Sequence, residues 1–266
     1  MADPAEGVTA HGMITTGAGV ERIVPEFQPV LDSAIDAVRG LPSVSLYLYG
    51  SVANGTATVG SSDVDLLALN LPADQARRME ISLTSRFAEV CRSVDVAVAA
   101  EAELNADSDE AYGFRVFLRH YCVHLQGPDR GSFRPSYPAD RRAARGFDGD
   151  IGRSLAIWRR EQQLRGTSEL ARSVARKTLL ATAMLVSIHD HGWTTDRRYA
   201  AARWAEIEPG WAADLRQLVR WTDVQGAATA ARREVDGVLS PTGVIQAIVD
   251  AFATQIGLWP EDAAGR

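Results

Sequence analysis

Cysteine, long apolar runs and net positive charge are all scarce in this 266-residue chain. Cys91 and Cys122 are the only cysteines, each inside an apolar segment, which excludes a disulfide framework and a zinc site built on cysteine spacing. Both read as core residues of a protein in a reducing compartment. No run of about 18 uninterrupted apolar residues occurs, the length a membrane-spanning helix needs. Met1 to Val20 has no basic segment leading into an apolar one, so it does not read as a secretory signal. A flexible tail over 1–20, no membrane partner and a cytoplasmic location are the expectations. The 28 Lys and Arg stand against 34 Asp and Glu, a formal charge of -6, which argues against gripping an extended nucleic acid. A small cationic partner suits that balance better.

What remains is ordinary globular material, 46% hydrophobic with a mean hydropathy of -0.11, enough for two cores. Val30, Leu31, Ala34, Ile35 and Val38 recur at helical spacing, with Gly40 as the stop. Val44 to Tyr49 reads as a strand ending at Gly50, Asp63 to Leu69 as a second, and Val94 to Ala99 as a third. Ala73 to Cys91 reads as a helix, Ala102 to Asp109 as an acidic surface loop, Tyr112 to His120 as a helix, and Val123 to Leu125 as a short strand. The prolines Pro128, Pro135 and Pro138 place a boundary before about residue 145. Beyond it no strand is expected. Ile151 to Leu164, Leu170 to His189, Ala200 to Ile207, Trp211 to Trp221 and Pro241 to Trp259 carry helical periodicity, and all six tryptophans fall there. The expected fold is α+β over 21–145, a mixed domain with a small central sheet, followed by an all-α helical domain over 146–266.

The chemistry is concentrated between the first two strands. Side chains at i and i+2 of a strand share a face, so Asp63 and Asp65 point together while Val64 and Leu66 turn to the core. Unpaired carboxylates at the start of a buried strand are costly, and a divalent cation relieves that cost. Asp95 opens the third strand in the same setting. If the strands are neighbours, three carboxylates converge, a donor set suited to one or two hard cations. Gly50 and Gly55 let backbone amides approach phosphate oxygens, and Ser51 and Ser62 add hydroxyl donors. No Gly-Lys-Ser/Thr run exists, so this loop is not a kinase-type P-loop.

Gly50, Ser51, Gly55, Asp63 and Asp65 resemble the signature of the polymerase-β-like nucleotidyltransferase superfamily. Within it the chain is most similar to the aminoglycoside adenylyltransferases that modify streptomycin and spectinomycin. Leu125 to Pro128 and the helix, turn and Trp-Ala pattern from Ala175 through Ala205 extend the resemblance. It implies that Asp63 and Asp65 bind Mg²⁺, two ions in all, and that Asp95 binds metal or acts as general base. It also implies that Ser51 and Ser62 hold the phosphates of ATP as co-substrate, and that a basic residue holds the triphosphate. Counting from Gly192 gives Arg197 for that residue, and counting back from Trp204 gives Arg198. The implied reaction transfers NMP, AMP from ATP, to a hydroxyl of a small molecule such as an aminoglycoside and releases pyrophosphate. Nucleotidylation of protein or RNA, and a degenerate nucleotide-binding member, are the alternatives. The chain departs from that family in a shorter stretch after the third carboxylate strand, which lacks a Trp-containing segment of the drug pocket. It departs again at Val174, where an acidic drug contact is expected.

Three other features read as structural. His189-Asp190-His191 ends a helix, with Gly192 expected as the left-handed residue beyond it. Arg141, Arg142 and Arg145 read as a solvated helix face, and the tryptophans as packing.

Overall fold

The computed structural model describes residues 3–260, which fall in two compact units divided between Pro138 and Ala139. The first unit opens with a small hairpin, β1 (Gly7–Val8) and β2 (Ile14–Thr15). Then follow α1 (Gln28–Val38), β3 (Ser45–Tyr49), α2 (Gly50–Ala53), β4 (Val64–Leu69), α3 (Ala73–Arg86), β5 (Val94–Ala99), α4 (Asp109–His120) and β6 (Val123–Gln126). The strands form a four-stranded sheet in the order β5-β4-β3-β6, with β4 and β5 parallel and the other pairs antiparallel.

Strand alternation divides the core into two layers. Leu46, Leu48, Val64, Leu66, Ala68, Val94 and Val96 face α1 and α3, where they join Val30, Leu31, Ala34, Met79 and Leu83. Each fully buried leucine there contributes about 1.5–3 kcal/mol. Tyr47, Leu67 and Leu69 face the other way and pack with Leu104 and Leu118.

Several expectations are corrected. Residues 3–20 are not a loose tail: Ile14 is buried, its N–H donates to the Tyr137 carbonyl (2.9 Å), and the Gly19 N–H donates to that of Ala53 (3.0 Å). The Tyr121 hydroxyl reaches Glu6 (2.7 Å), 115 residues away. The helix expected through Cys91 stops at Arg86. There the chain turns so that the Gly60 N–H meets the Val90 carbonyl and the Arg92 N–H meets that of Ser62, which aligns β5 parallel to β4. In the expected acidic loop, Glu101–Asn105 is a short 3-10 helix anchored by buried Leu104. Cys91 is buried and Cys122 partly so, and both are free thiols.

One buried histidine gives this unit a pH signature. His120 is 8% exposed, and its Nε2 accepts the Tyr137 N–H (2.9 Å), a role the protonated ring cannot fill. Burial, helped by neighbouring Arg119, lowers its pKa to about 4. Below the unfolded value near 6.5 the unfolded chain takes up a proton that the folded chain refuses, so stability falls between about pH 6.5 and 4. The loss approaches about 3 kcal/mol at the acid end. Urea unfolding from pH 7 to pH 4 should show this slope in the parent and a flatter one in His120→Asn; identical slopes would remove His120 as the cause.

The second unit is helical: α5 (Arg141–Asp148), α6 (Ile151–Glu161), α7 (Thr167–His189), α8 (Arg197–Ile207), α9 (Ala212–Trp221), α10 (Val224–Ala228), α11 (Arg232–Leu239) and α12 (Val244–Gln255). The division falls at Pro138, before residue 145, and Asp140 then caps α5 by accepting the Ala143 N–H (2.8 Å). Arg145 then ties to the far end of the unit, donating to the Ile256 carbonyl (3.1 Å) while its own carbonyl accepts Trp259 Nε1 (2.7 Å). The buried helix α7 packs against α5, α8, α9, α10 and α12. Trp158, Trp193, Trp204 and Trp221 are buried in this unit. At the end of α7 the left-handed residue is His191 (φ 54), not Gly192. Asp190 binds His189 (2.7 Å) and Arg203 (2.8 Å); the Arg203 bond, then that of His189, pulls its pKa down to about 2. The run Arg232–Gln255 is long and apolar enough by composition to cross a membrane, but it is broken into α11 and α12 around Ser240–Gly243. α11 was not expected; its start is fixed by Glu234, which accepts the Ala231 N–H (2.9 Å).

Candidate active site

Three carboxylates lie at one end of the sheet. Asp65 and Asp95 are direct partners in the parallel register of β4 and β5, and Asp65 lies opposite Tyr49 on β3. Asp63 precedes β4 by one residue, two before Asp65 and on the same face. Their fields overlap. Asp95 is raised above the usual carboxylate range, first by burial and then by repulsion from Asp63 and Glu80, with Ser93 and Arg92 opposing. Arg92 is raised by its hydrogen bond to Asp63 and by the charges of Asp63, Asp95 and Asp65 together.

Asp63 is held by two residues that sequence reading missed. Arg92 grips it with Nε donating to Oδ1 (2.9 Å) and Nη2 paired to Oδ2, and the Ser93 hydroxyl donates to Oδ1 (2.7 Å). Glu80 was also missed: its Oε1 accepts the Val96 N–H (3.0 Å), which brings a further negative charge beside Asp95. A basic residue two positions before a valine strand was the one visible signal, and only the turn between α3 and β5 gives it meaning.

The loop after β3 is a helical turn, α2, rather than an open coil. Gly50 has φ 74, and a Cβ there would collide with Asp65 Oδ2. The bare glycine therefore lets the 50–53 backbone and the Asp65 carboxylate share one space. Gly55 is also left-handed (φ 76), and a Cβ there would press on the Arg22 carbonyl. The Ser51 carbonyl accepts the Thr56 and Ala57 N–H groups (2.9 and 3.1 Å), which folds the loop back on itself. The Ser62 hydroxyl accepts the Thr58 N–H (2.8 Å) and so serves the turn in this conformation. Gly50→Ala should cost about 1–2 kcal/mol from left-handed strain alone and push Asp65 out of place. Urea unfolding and activity together check this, and a fully active, equally stable variant would refute it.

Among the described residues no three His, Cys, Asp or Glu side chains stand close enough to hold a metal ion in this conformation. The donor chemistry nevertheless fits one. Asp63, Asp65 and Asp95 are hard oxygen donors on one face, and the repulsion from Asp63 and Glu80, which adds to desolvation in raising Asp95, would be relieved by a divalent cation. Asp63 would exchange Arg92 for that cation.

Arg197 and Arg198 belong to the second unit and differ in surroundings. Arg197 is partly buried, with Nε donating to the Arg176 carbonyl (3.1 Å); burial lowers its pKa, as does Arg176, against the pull of Asp148. Arg198 is exposed and lines a cavity of about 550 Å³ with Arg216 and Arg220.

Residues 31–114 match the family model of the nucleotidyltransferase domain. The chain shares its fold with spectinomycin adenyltransferase from Enterococcus faecialis, a structure containing ATP and spectinomycin. That likeness has a TM-score of 0.50 at 10% identity and covers 86% of this chain and 98% of the other. A toxin-antitoxin structure with AMP-PNP also matches over 50% of this chain and 94% of its own, at 18% identity and a TM-score of 0.28. Sequence comparison with curated proteins gave no match. The resemblance to polymerase-β-like nucleotidyltransferases thus has the family model behind it over residues 31–114, and the resemblance to the aminoglycoside adenylyltransferases has a shared fold over 86% of the chain.

Proposed function

We propose, from a nucleotidyltransferase domain over residues 31–114, that the chain transfers AMP from ATP to a hydroxyl of a small molecule of the aminoglycoside type. The observation that carries the reading is the register that sets Asp65 beside Asp95, with Asp63 two residues upstream and Gly50 packed against Asp65. In the reaction the acceptor oxygen forms a bond to the α-phosphorus as the bond from that phosphorus to the bridging oxygen breaks, and pyrophosphate leaves. The hydroxyl proton passes to Asp95 or to water; the raised pKa of Asp95 brings it closer to that of a useful base. Asp63, Asp65 and Asp95 would hold Mg²⁺, which when bound neutralises charge developing on the phosphoryl oxygens. The Gly50–Ser51 turn would place the phosphates, and Gly55 would keep the returning loop clear of them.

The test is a screen for pyrophosphate release with each NTP and Mg²⁺ across aminoglycosides and related cyclitols. Release that requires both ATP and one such compound supports the reading. Label from ATP that reaches only protein or RNA would overturn the acceptor class, and no Mg-ATP binding by calorimetry would overturn the whole reading.

A further inference from the structure

We infer that the groove between α8 and α9 is a binding site of its own, for a small organic molecule that joins two oxyanion groups, carboxylate or phosphate, through a compact apolar body. The inference stands apart from the nucleotidyl-transfer reading and concerns the helical unit alone.

Sequence spacing builds the groove. Arg198, Ala201, Ala202 and Ala205 recur at i, i+3, i+4 and i+7 along α8, and Arg216, Val219 and Arg220 at i, i+3 and i+4 along α9. Each helix therefore turns one face to the same cavity of about 550 Å³. The two helices pack together across the short turn at Pro209–Trp211. The alanines and Val219 keep the floor low and apolar. Cations line both walls: Arg198 from α8, and from α9 Arg216 and Arg220, which stand about 6 Å apart along the axis.

Nothing in the unit neutralises these cations. Among the described residues none of the three guanidiniums makes a hydrogen bond or an ion pair, and no Asp or Glu lines the cavity. Nearby acids are turned elsewhere. Glu206 pairs with Arg203 (2.8 Å), Asp196 and Asp223 cap α8 and α10, and Asp214 stands two residues before Arg216, off that face of α9. In a chain with 34 acidic and 28 basic residues, three unneutralised cations on one groove are not the by-product of a generally basic surface. Arg197 is one residue and about 100° away. It donates to the Arg176 carbonyl on α7 (3.1 Å), so the groove engages Arg198 without it.

The lining selects among anions. A guanidinium fork binds carboxylate or phosphate through two parallel hydrogen bonds, so cations on two walls call for two oxyanion groups. The walls belong to helices whose axes pack about 8–10 Å apart, which sets the span between those groups. Inorganic phosphate would leave the apolar floor uncovered. An extended nucleic acid needs many more cations and meets the chain's net negative charge. The volume is that of a small-molecule pocket.

The experiment titrates the full chain with naphthalene-2,6-dicarboxylate and with naphthalene-2,6-diyl bisphosphate, read by naphthalene fluorescence, and with their one-headed counterparts, 2-naphthoate and 2-naphthyl phosphate. A two-headed probe should bind saturably and about 10-fold tighter than its counterpart. Which of the two binds better tells the oxyanion that the walls prefer, and either preference supports the site. Arg216→Gln combined with Arg220→Gln should bring the two-headed probe down to the affinity of its counterpart. Ala202→Glu, at an exposed helix position one turn from Arg198, should abolish binding by supplying the absent carboxylate. Thermal midpoints check that the variants fold; if one loses its transition, the other decides. Saturating Mg-ATP should leave the affinity unchanged. The site is overturned by an absence of saturable binding, by equal affinity for two-headed and one-headed probes, by parent-like binding in a folded variant, or by competitive displacement with Mg-ATP, which would put the probe in the nucleotide's own place. Selective binding by a chain that takes up no Mg-ATP refutes nucleotidyl transfer and leaves the groove's assignment standing.

Discussion

Asp65→Asn is expected to slow nucleotidyl transfer by about 10³-fold, the scale seen when one preorganised electrostatic group is removed from a transition state, with no loss of thermal stability. Both halves of that result follow from the geometry. Asp65 stands in register with Asp95 and in the field that also includes Asp63, so the centre concentrates negative charge. Asparagine is nearly isosteric, keeps the space beside Gly50 filled, and lowers the repulsion. The folded state should therefore hold or gain stability while the capacity to stabilise charge at phosphorus is lost. Measuring pyrophosphate release at saturating Mg-ATP alongside the thermal midpoint separates the two effects. A variant within threefold of the parent rate would end the role assigned to the carboxylates, and a large drop in midpoint would show that Asp65 is structural.

The sheet was legible because the openings of β4 and β5 alternate apolar and acidic residues with a period of two. Val64-Asp65-Leu66 and Val94-Asp95-Val96 announce both the core face and the carboxylate face, and their parallel pairing needed only a crossover helix between them. Features that depend on partners distant in sequence were not legible. Ile14 looks like part of a small-residue tail until Tyr137 supplies the carbonyl for its N–H. Arg92 looks like a solvated residue until the end of α3 turns it onto Asp63. The unit division falls at Pro138, just before Asp140 caps α5, whereas the prolines alone placed it no more closely than before about residue 145. His191 takes the left-handed backbone although a glycine follows it, and i-to-i+2 spacing could not show that the Ser62 hydroxyl is spent on the Thr58 amide.

Lys177→Met is expected to destabilise the chain by about 3–5 kcal/mol, the range for removing one partner of a buried ion pair. Lys177 is the only lysine in the sequence. Its ammonium lies 2.9 Å from Asp148 Oδ1 and 2.6 Å from Asp150 Oδ1, and Asp148 is only 2% exposed. Burial already pushes the Asp148 carboxyl above its ordinary range, with Lys177 opposing and Arg197 assisting more weakly. Without the ammonium that rise must grow. A carboxyl whose folded pKa exceeds its unfolded value contributes stability below the unfolded pKa and loses it as pH rises through the folded one. The variant's deficit should therefore be largest near pH 8 and shrink towards pH 5, opposite in direction to the acid sensitivity ascribed to His120. Combining Lys177→Met with Asp148→Leu should recover much of the loss, because replacing a whole buried pair by apolar groups of similar size is often near neutral. Urea unfolding at pH 5 and pH 8 measures both, and a deficit under about 1 kcal/mol at pH 8 would mean that water reaches the pair and that it anchors nothing.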